Sequence, residues 1–238
     1  MRLKKLLLVV LSLFLNLVGF PCLAAYDSSP GGSGNFVYSD NAEPSGGPPI
    51  SFAVFFKTNS HTSGSTTIAH SDPSGYSYYV LVPHSDAKHY FVSRHTTDTT
   101  FVGTSTFSDD TWYVGIGTEA SSTSRAVYLD GAGKGTSSAN SGTSYTYSRF
   151  CIGRYDYYAD SNESLDGDLG EGAVWDASLS DDEAAILGKK FSPLLVRPNA
   201  LTHYAPLVRT LQDYIGGTSL TQSGGTLGTE HPRVIMAY

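Results

Sequence analysis

The chain has 238 residues, a formal charge of −7, 40% hydrophobic and 12% aromatic residues, and only 16% charged ones. So few charges among so many aromatics exclude a disordered chain, and the acidic balance excludes a dedicated nucleic-acid binder. Abundant Gly, Ser, Thr and Tyr fit an extracellular all-β protein, because strands favour Thr and aromatics while turns favour Gly and Ser.

Residues 1–25 read as a secretory signal: Arg2, Lys4 and Lys5, then the apolar run Leu6 to Phe20, then Pro21-Cys22-Leu23-Ala24-Ala25 as a small-residue cleavage site. The apolar run is short of the roughly 20 residues that span a bilayer, so membrane contact is expected only through an uncleaved signal. Gly19-Phe20-Pro21 before Cys22 does not suit a lipobox. Cleavage after Ala25 removes three basic and no acidic residues, which takes the formal charge from −7 to −10. It also leaves Cys151 as the single cysteine, so no intramolecular disulfide can form. Flanked by Phe150 and Ile152, Cys151 is expected to be a small buried residue. The predicted organisation is signal 1–25, flexible leader 26–34 and one domain over 35–238, in a secreted or extracytoplasmic protein. The oligomeric state is not legible.

Short strand-like runs then follow one another. Asn35 to Tyr38 is the first, and Ile50 to Lys57 is apolar at both parities, as a strand covered on both faces would be. Thr66–Ala69, Tyr76–Val82, His89–Arg94, Thr100–Thr104, Trp112–Thr118 and Arg125–Leu129 come next, parted by turn clusters about every ten residues. Asp130-Gly131 is turn chemistry. One helix is predicted over Ser180 to Lys190. Ser180 and Glu183 form a capping box, Lys189 and Lys190 close the last turn, and Pro193 stops it. A return strand over Thr202–Val208, a Gly-rich stretch and a short run Val234–Met236 complete an antiparallel two-sheet jelly-roll sandwich with one short helix.

The stretch Phe150 to Glu183 carries a resemblance. Cys151-Ile152-Gly153, Leu165-Asp166-Gly167-Asp168-Leu169-Gly170 and Trp175-Asp176 before Leu179-Ser180 stand in an order similar to the laminin-G-like and pentraxin jelly rolls of the concanavalin A-like lectin/glucanase superfamily. Trp112-Tyr113 with Val127-Tyr128-Leu129-Asp130-Gly131, and ISFAVFFK upstream, extend it over residues 35 to 215. Strand alternation places Ala173 and Trp175 on one face, with Trp175 expected as an anchor between the sheets.

Catalytic patterns are scarce. Gly131-Ala132-Gly133-Lys134-Gly135-Thr136 only superficially suggests a phosphate loop and reads as a hairpin turn. Glycoside hydrolysis needs two carboxylates about 5–5.5 Å or 6.5–9.5 Å apart. Asp166, Asp168 and Glu171 come closest, but Asp stands where the resembled enzymes place their Glu nucleophile, so no enzyme is expected. Calcium wants several loop oxygens, and the loop Tyr155 to Asp166 is rich in acids. The resemblance implies Asp72, Asp156 and Glu163 as ligands. The exposed rings expected against a glycan are Tyr78, Tyr155, Tyr157 and Tyr158. The predicted function is a secreted, lectin-like module binding glycan or another surface ligand, with calcium as the candidate cofactor. The competing reading is a structural or adhesive jelly roll without a small ligand, and a glycoside hydrolase trails both.

Overall fold

The computed structural model describes residues 26–27, 35–40, 47–61, 65–72, 77–143, 147–154, 164–208, 210–227 and 231–236. In chain order the strands are β1 (Tyr26–Asp27), β2 (Phe36–Ser39), β3 (Ile50–Thr58), β4 (Ile68–Ser71), β5 (Tyr78–Pro83), β6 (Lys88–Arg94), β7 (Asp98–Thr106), β8 (Tyr113–Ser121), β9 (Ser124–Leu129), β10 (Ala132–Ser137), β11 (Arg149–Ile152) and β12 (Gly167–Trp175). Helix α1 (Asp181–Gly188) and a 3-10 turn (Pro193–Leu195) precede β13 (Leu201–Ala205), β14 (Thr221–Ser223) and β15 (Thr226–Leu227). The first sheet runs β10-β9-β8-β3-β12-β1-β15, with β13 also on β12, and the second runs β14-β2-β11-β4-β5-β6-β7. Strand pairing is antiparallel, and the architecture is the expected jelly-roll sandwich. Tyr26 and Asp27, at the start of the segment read as a leader, pair with Leu169 and Asp168; residues 28–34 lie outside the described residues.

Two apolar cores share the first sheet. Between the sheets, Phe52, Val54 and Phe56 of β3 pack with Leu81, Phe91, Phe150 and Val174. On the outer side, Ala53 and Phe55 pack with Ile116, Trp175, Leu187 and Val196 beneath α1 and the 3-10 turn. This is the double coverage that ISFAVFFK predicts. It also corrects the expected place of Trp175, which lies in the outer core and not between the sheets. The cause is an irregularity in β12, where pairing with β3 shifts between Gly170 and Ala173. There the Trp175 indole donates to the Val196 carbonyl at 2.8 Å.

Helix α1 starts as read. The Ser180 hydroxyl accepts from the Glu183 amide, and the Glu183 carboxylate accepts from the Ser180 amide at 2.8 Å. It ends at Gly188, two residues before the expected Lys190: Lys189 is its C-cap, and the last turn carries no basic residue. Cys151 is buried as expected, but on the outer face of the second sheet, beside Ala69, Tyr78 and Val80.

Three ionisable groups are buried at the expense of their charge. His70 stacks on Tyr147 at 5.1 Å, and burial, with His203 nearby, pushes its pKa down to about 3. His89 stacks on Phe56 at 5.4 Å and is likewise pushed down by burial to about 3. Glu171 sits in the β12 irregularity at φ 51, a left-handed conformation that costs a non-glycine roughly 1–2 kcal/mol. Burial pushes its carboxyl up to about 8, against the opposing effect of the Tyr204 hydroxyl that donates to it at 2.6 Å. His231 Nε2 lies 3.5 Å from its other oxygen.

Candidate functional site

Helix α1 covers only part of the first sheet's outer face. On β8, Val114 and Ile116 point into the outer core, and the two-residue repeat of a strand carries Thr118 onto the same face. Thr118 stands opposite Ala126, and Ala126 opposite Thr136. With Ser124 and Ser178, these small and hydroxylated side chains line an open groove of about 420 Å³ whose wall is the start of α1.

Glycine sets that wall. The β9–β10 turn is Asp130-Gly131, with φ 49 and 68, the doubly left-handed pair of a tight hairpin. A Cβ on Gly131 would collide with the Ala184 carbonyl, and one on Gly188 with the Asp130 carbonyl. The helix therefore lies directly on the turn, which brings its first residue over the hairpin. Gly133 and Gly135 face β7, where a Cβ would collide with Ser105 and with the Val102 carbonyl. Their alternation leaves Lys134 and Thr136 to the groove.

Tyr128, Lys134 and Asp181 define the chemistry. The Tyr128 hydroxyl donates to Asp181 Oδ1 at 2.7 Å, and Lys134 Nζ donates to the same oxygen at 2.7 Å. The ammonium also stands 5.6 Å from the centre of the Tyr128 ring. Hydrogen bonds from Lys134 and Tyr128 hold the Asp181 carboxyl below the usual carboxylate range. Burial, and then the Asp181 carboxylate, push the Tyr128 hydroxyl well up. At neutral pH the groove thus presents a carboxylate, an ammonium and a neutral phenol. Asp181 Oδ2 accepts no hydrogen bond among the described residues, and Lys134 donates only to Asp181. An acceptor and spare donors stand side by side, on side chains 67% and 42% exposed. Arg125, on the same hairpin, turns away: its guanidinium donates to Ser93 at 3.0 Å and lies 3.9 Å from Glu119, with its side chain fully buried.

Of the residues singled out from sequence, the two described ones, Tyr78 and Asp72, lie elsewhere. Tyr78 points to the outer face of the second sheet, 9% exposed, and its hydroxyl donates to Asp98 at 2.7 Å. Asp72 is half-buried just after β4, and its amide donates to the Ser77 carbonyl at 3.0 Å. Tyr155, Tyr157, Tyr158, Asp156 and Glu163 lie outside the described residues. Among the described residues no group of three or more His, Cys, Asp or Glu could hold a metal ion. Of the acids weighed for glycoside hydrolysis, Asp168 pairs with Lys57 at 2.7 Å, Asp166 accepts from Asn59 at 3.3 Å, and Glu171 is buried under Tyr204 and His231.

Residues 31–185 match the family model of the concanavalin A-like lectin/glucanases superfamily. The chain belongs to that superfamily. Among solved structures, the superfamily fold recurs in the native heptameric SAP-like pentraxin of Limulus polyphemus, with a TM-score of 0.62 and 15% identity over 88% of this chain and 94% of that one. Domain 4 of an extracellular arabinanase from Geobacillus stearothermophilus, in complex with arabinotriose, is similar at a TM-score of 0.51 and 14% identity, over 70% of this chain and 86% of that one. The CBM40 of a Ruminococcus gnavus IT-sialidase bound to α2,3-sialyllactose is similar at 0.51 and 11%, over 70% and 92%. Among curated proteins no match is found. At such identities the likeness is one of fold. Within the superfamily's sandwich, the groove of this chain is built on the edge hairpin of the helix-covered sheet. No described helix is long and apolar enough to cross a membrane.

Proposed function

We propose that this chain is a secreted, non-catalytic glycan-binding module that takes its sugar in the groove of Tyr128, Lys134 and Asp181. The observation that carries this reading is the unused oxygen of Asp181 beside the spare protons of Lys134, in a hydroxyl-lined groove. A sugar hydroxyl both donates and accepts, so a carboxylate and an ammonium at adjacent positions match it. Two of the solved neighbours hold oligosaccharides, which supports the class of ligand. A binding role without catalysis is supported by the engagement of Asp168 and Glu171 in internal contacts. Secretion is supported by the charged and apolar start of the chain. Calcium held by Asp72, Asp156 and Glu163 is a separate proposal resting on the family resemblance.

The secreted chain, applied to a glycan array beside a Thr136→Trp variant, tests the reading. Thr136 is exposed on β10, so a Trp there fills the groove without entering a core. The expected result is binding by the wild type and its loss in the variant, with both melting alike. Binding that survives Thr136→Trp would remove the groove from the reading, and a wild type that binds no glycan would favour the structural or adhesive jelly roll.

A further inference from the structure

The groove's charges set what kind of sugar it admits. Among the described residues Lys134 is its one exposed cation, and that charge is matched by Asp181 at 2.7 Å. Arg125 is turned into the sandwich beside Glu119. Asp182, the next residue of α1, is exposed, while Glu183 is paired with Arg197 at 2.7 Å. The groove's lining is therefore balanced in charge, with the exposed Asp182 next in sequence to Asp181, on a chain whose formal charge is −7. A carboxylated sugar would meet a negative field and would have to pull Lys134 from Asp181. An uncharged sugar faces neither cost.

We infer that the groove selects neutral glycans, gripping two neighbouring hydroxyls, one that donates to Asp181 Oδ2 and one that accepts from Lys134 Nζ. This rests on the glycan-binding reading above and sharpens it. Tyr128 acts as a positioning residue. Its hydroxyl takes one lone pair of Oδ1 and its ring lies under the ammonium, so carboxylate and ammonium are held in place before the sugar arrives. Held in this way, the pair loses less freedom on binding than two mobile surface side chains would.

Titration with lactose, arabinotriose and α2,3-sialyllactose, read by calorimetry or by ligand-observed NMR, tests it. The wild type should bind at least one neutral sugar and bind sialyllactose at least tenfold more weakly. Tyr128→Phe should weaken neutral binding several-fold while Lys134 and Asp181 keep their charges. Asp181→Asn should weaken neutral binding at least tenfold and, by freeing Lys134, strengthen sialyllactose. Lys134→Gln, on an exposed side chain, is the control should Asp181→Asn disturb the helix, and it should weaken neutral sugars without strengthening the acidic one. Sialyllactose bound as tightly as lactose, with both lost in Thr136→Trp, would overturn the selectivity and leave the groove standing. Neutral binding indifferent to all four variants would overturn the groove itself, and no binding of any sugar would overturn both.

Discussion

Glu171 makes a quantitative test of the buried charges. His70 and His89 are neutral in the folded chain with pKa values near 3, so they take up protons only on unfolding, and stability is lost as pH falls through 6.5 toward 3. Glu171 behaves in the opposite sense. Its folded pKa near 8 lies above the unfolded 4.5, so the stability it contributes is complete below 4.5 and is lost as pH rises toward 8. Between pH 5 and pH 8 the two histidines together should add, and Glu171 should remove, stability on the order of a few kcal/mol, by proton linkage. The two contributions oppose each other, so the wild type should vary less with pH over that range than it would with the histidines alone. Glu171→Gln keeps an acceptor for the Tyr204 hydroxyl and deletes the opposing limb. The variant should gain stability on the order of a few kcal/mol from pH 5 to pH 8, a rise in melting temperature of several degrees or more for a chain of this size. Calorimetry of both proteins at pH 5, 6.5 and 8 measures this directly. Parallel pH profiles would show that Glu171 is ionised throughout and that the reasoning from burial is wrong.

Other expectations follow from single contacts. Ser180→Ala removes the helix cap and should cost about 1 kcal/mol, seen as a melting shift of a few degrees. Trp175→Ala should cost about 3–5 kcal/mol in urea unfolding by emptying the outer core, with the indole's hydrogen bond to Val196 lost as well. Gly188→Ala should destabilise and also weaken sugar binding, because it pushes α1 off the Asp130-Gly131 turn; a stable variant with unchanged affinity would break the link between turn and groove. Millimolar calcium should raise the melting temperature by several degrees if Asp72, Asp156 and Glu163 form the proposed site, since a ligand at 100 times its dissociation constant adds about 2.7 kcal/mol. Asp156→Ala should abolish the rise, and an unchanged wild type would end that proposal.

The strands and the helix are legible because their determinants are local. The two-sided apolar run of β3 and the reciprocal bonds of Ser180 and Glu183 are written in neighbouring residues. The position of Trp175 is not, because an irregularity between Gly170 and Ala173 changes which core the strand's later residues enter. The groove is missed for a different reason. Tyr128 and Asp181 are 53 residues apart, and nothing short of the packed helix brings them together. One signal was available: the alternating glycines of Gly131-Ala132-Gly133-Lys134-Gly135-Thr136, which resemble a phosphate loop only when read as a loop. Read with a period of two, they leave Ala132, Lys134 and Thr136 on one face of the strand.

The covering of β3 on both faces carries a consequence for strand register. When one face of a strand is polar, a slip by one residue exposes the apolar set and is penalised at once. In β3 such a slip would exchange Phe52, Val54 and Phe56 for Ala53 and Phe55, apolar for apolar, so polarity alone gives little protection. Alignment is fixed instead at the two ends. Ser51 donates to the Ala177 carbonyl at 2.7 Å and accepts from the Leu179 amide at 2.9 Å. At the other end Lys57 meets Asp168 at 2.7 Å and the Thr58 hydroxyl donates to the Asp166 carbonyl at 3.2 Å. Displaced by one residue, the strand would leave a buried hydroxyl and a carboxylate without these partners, so a few polar contacts at its margins guard the alignment of the strand on which both cores are built.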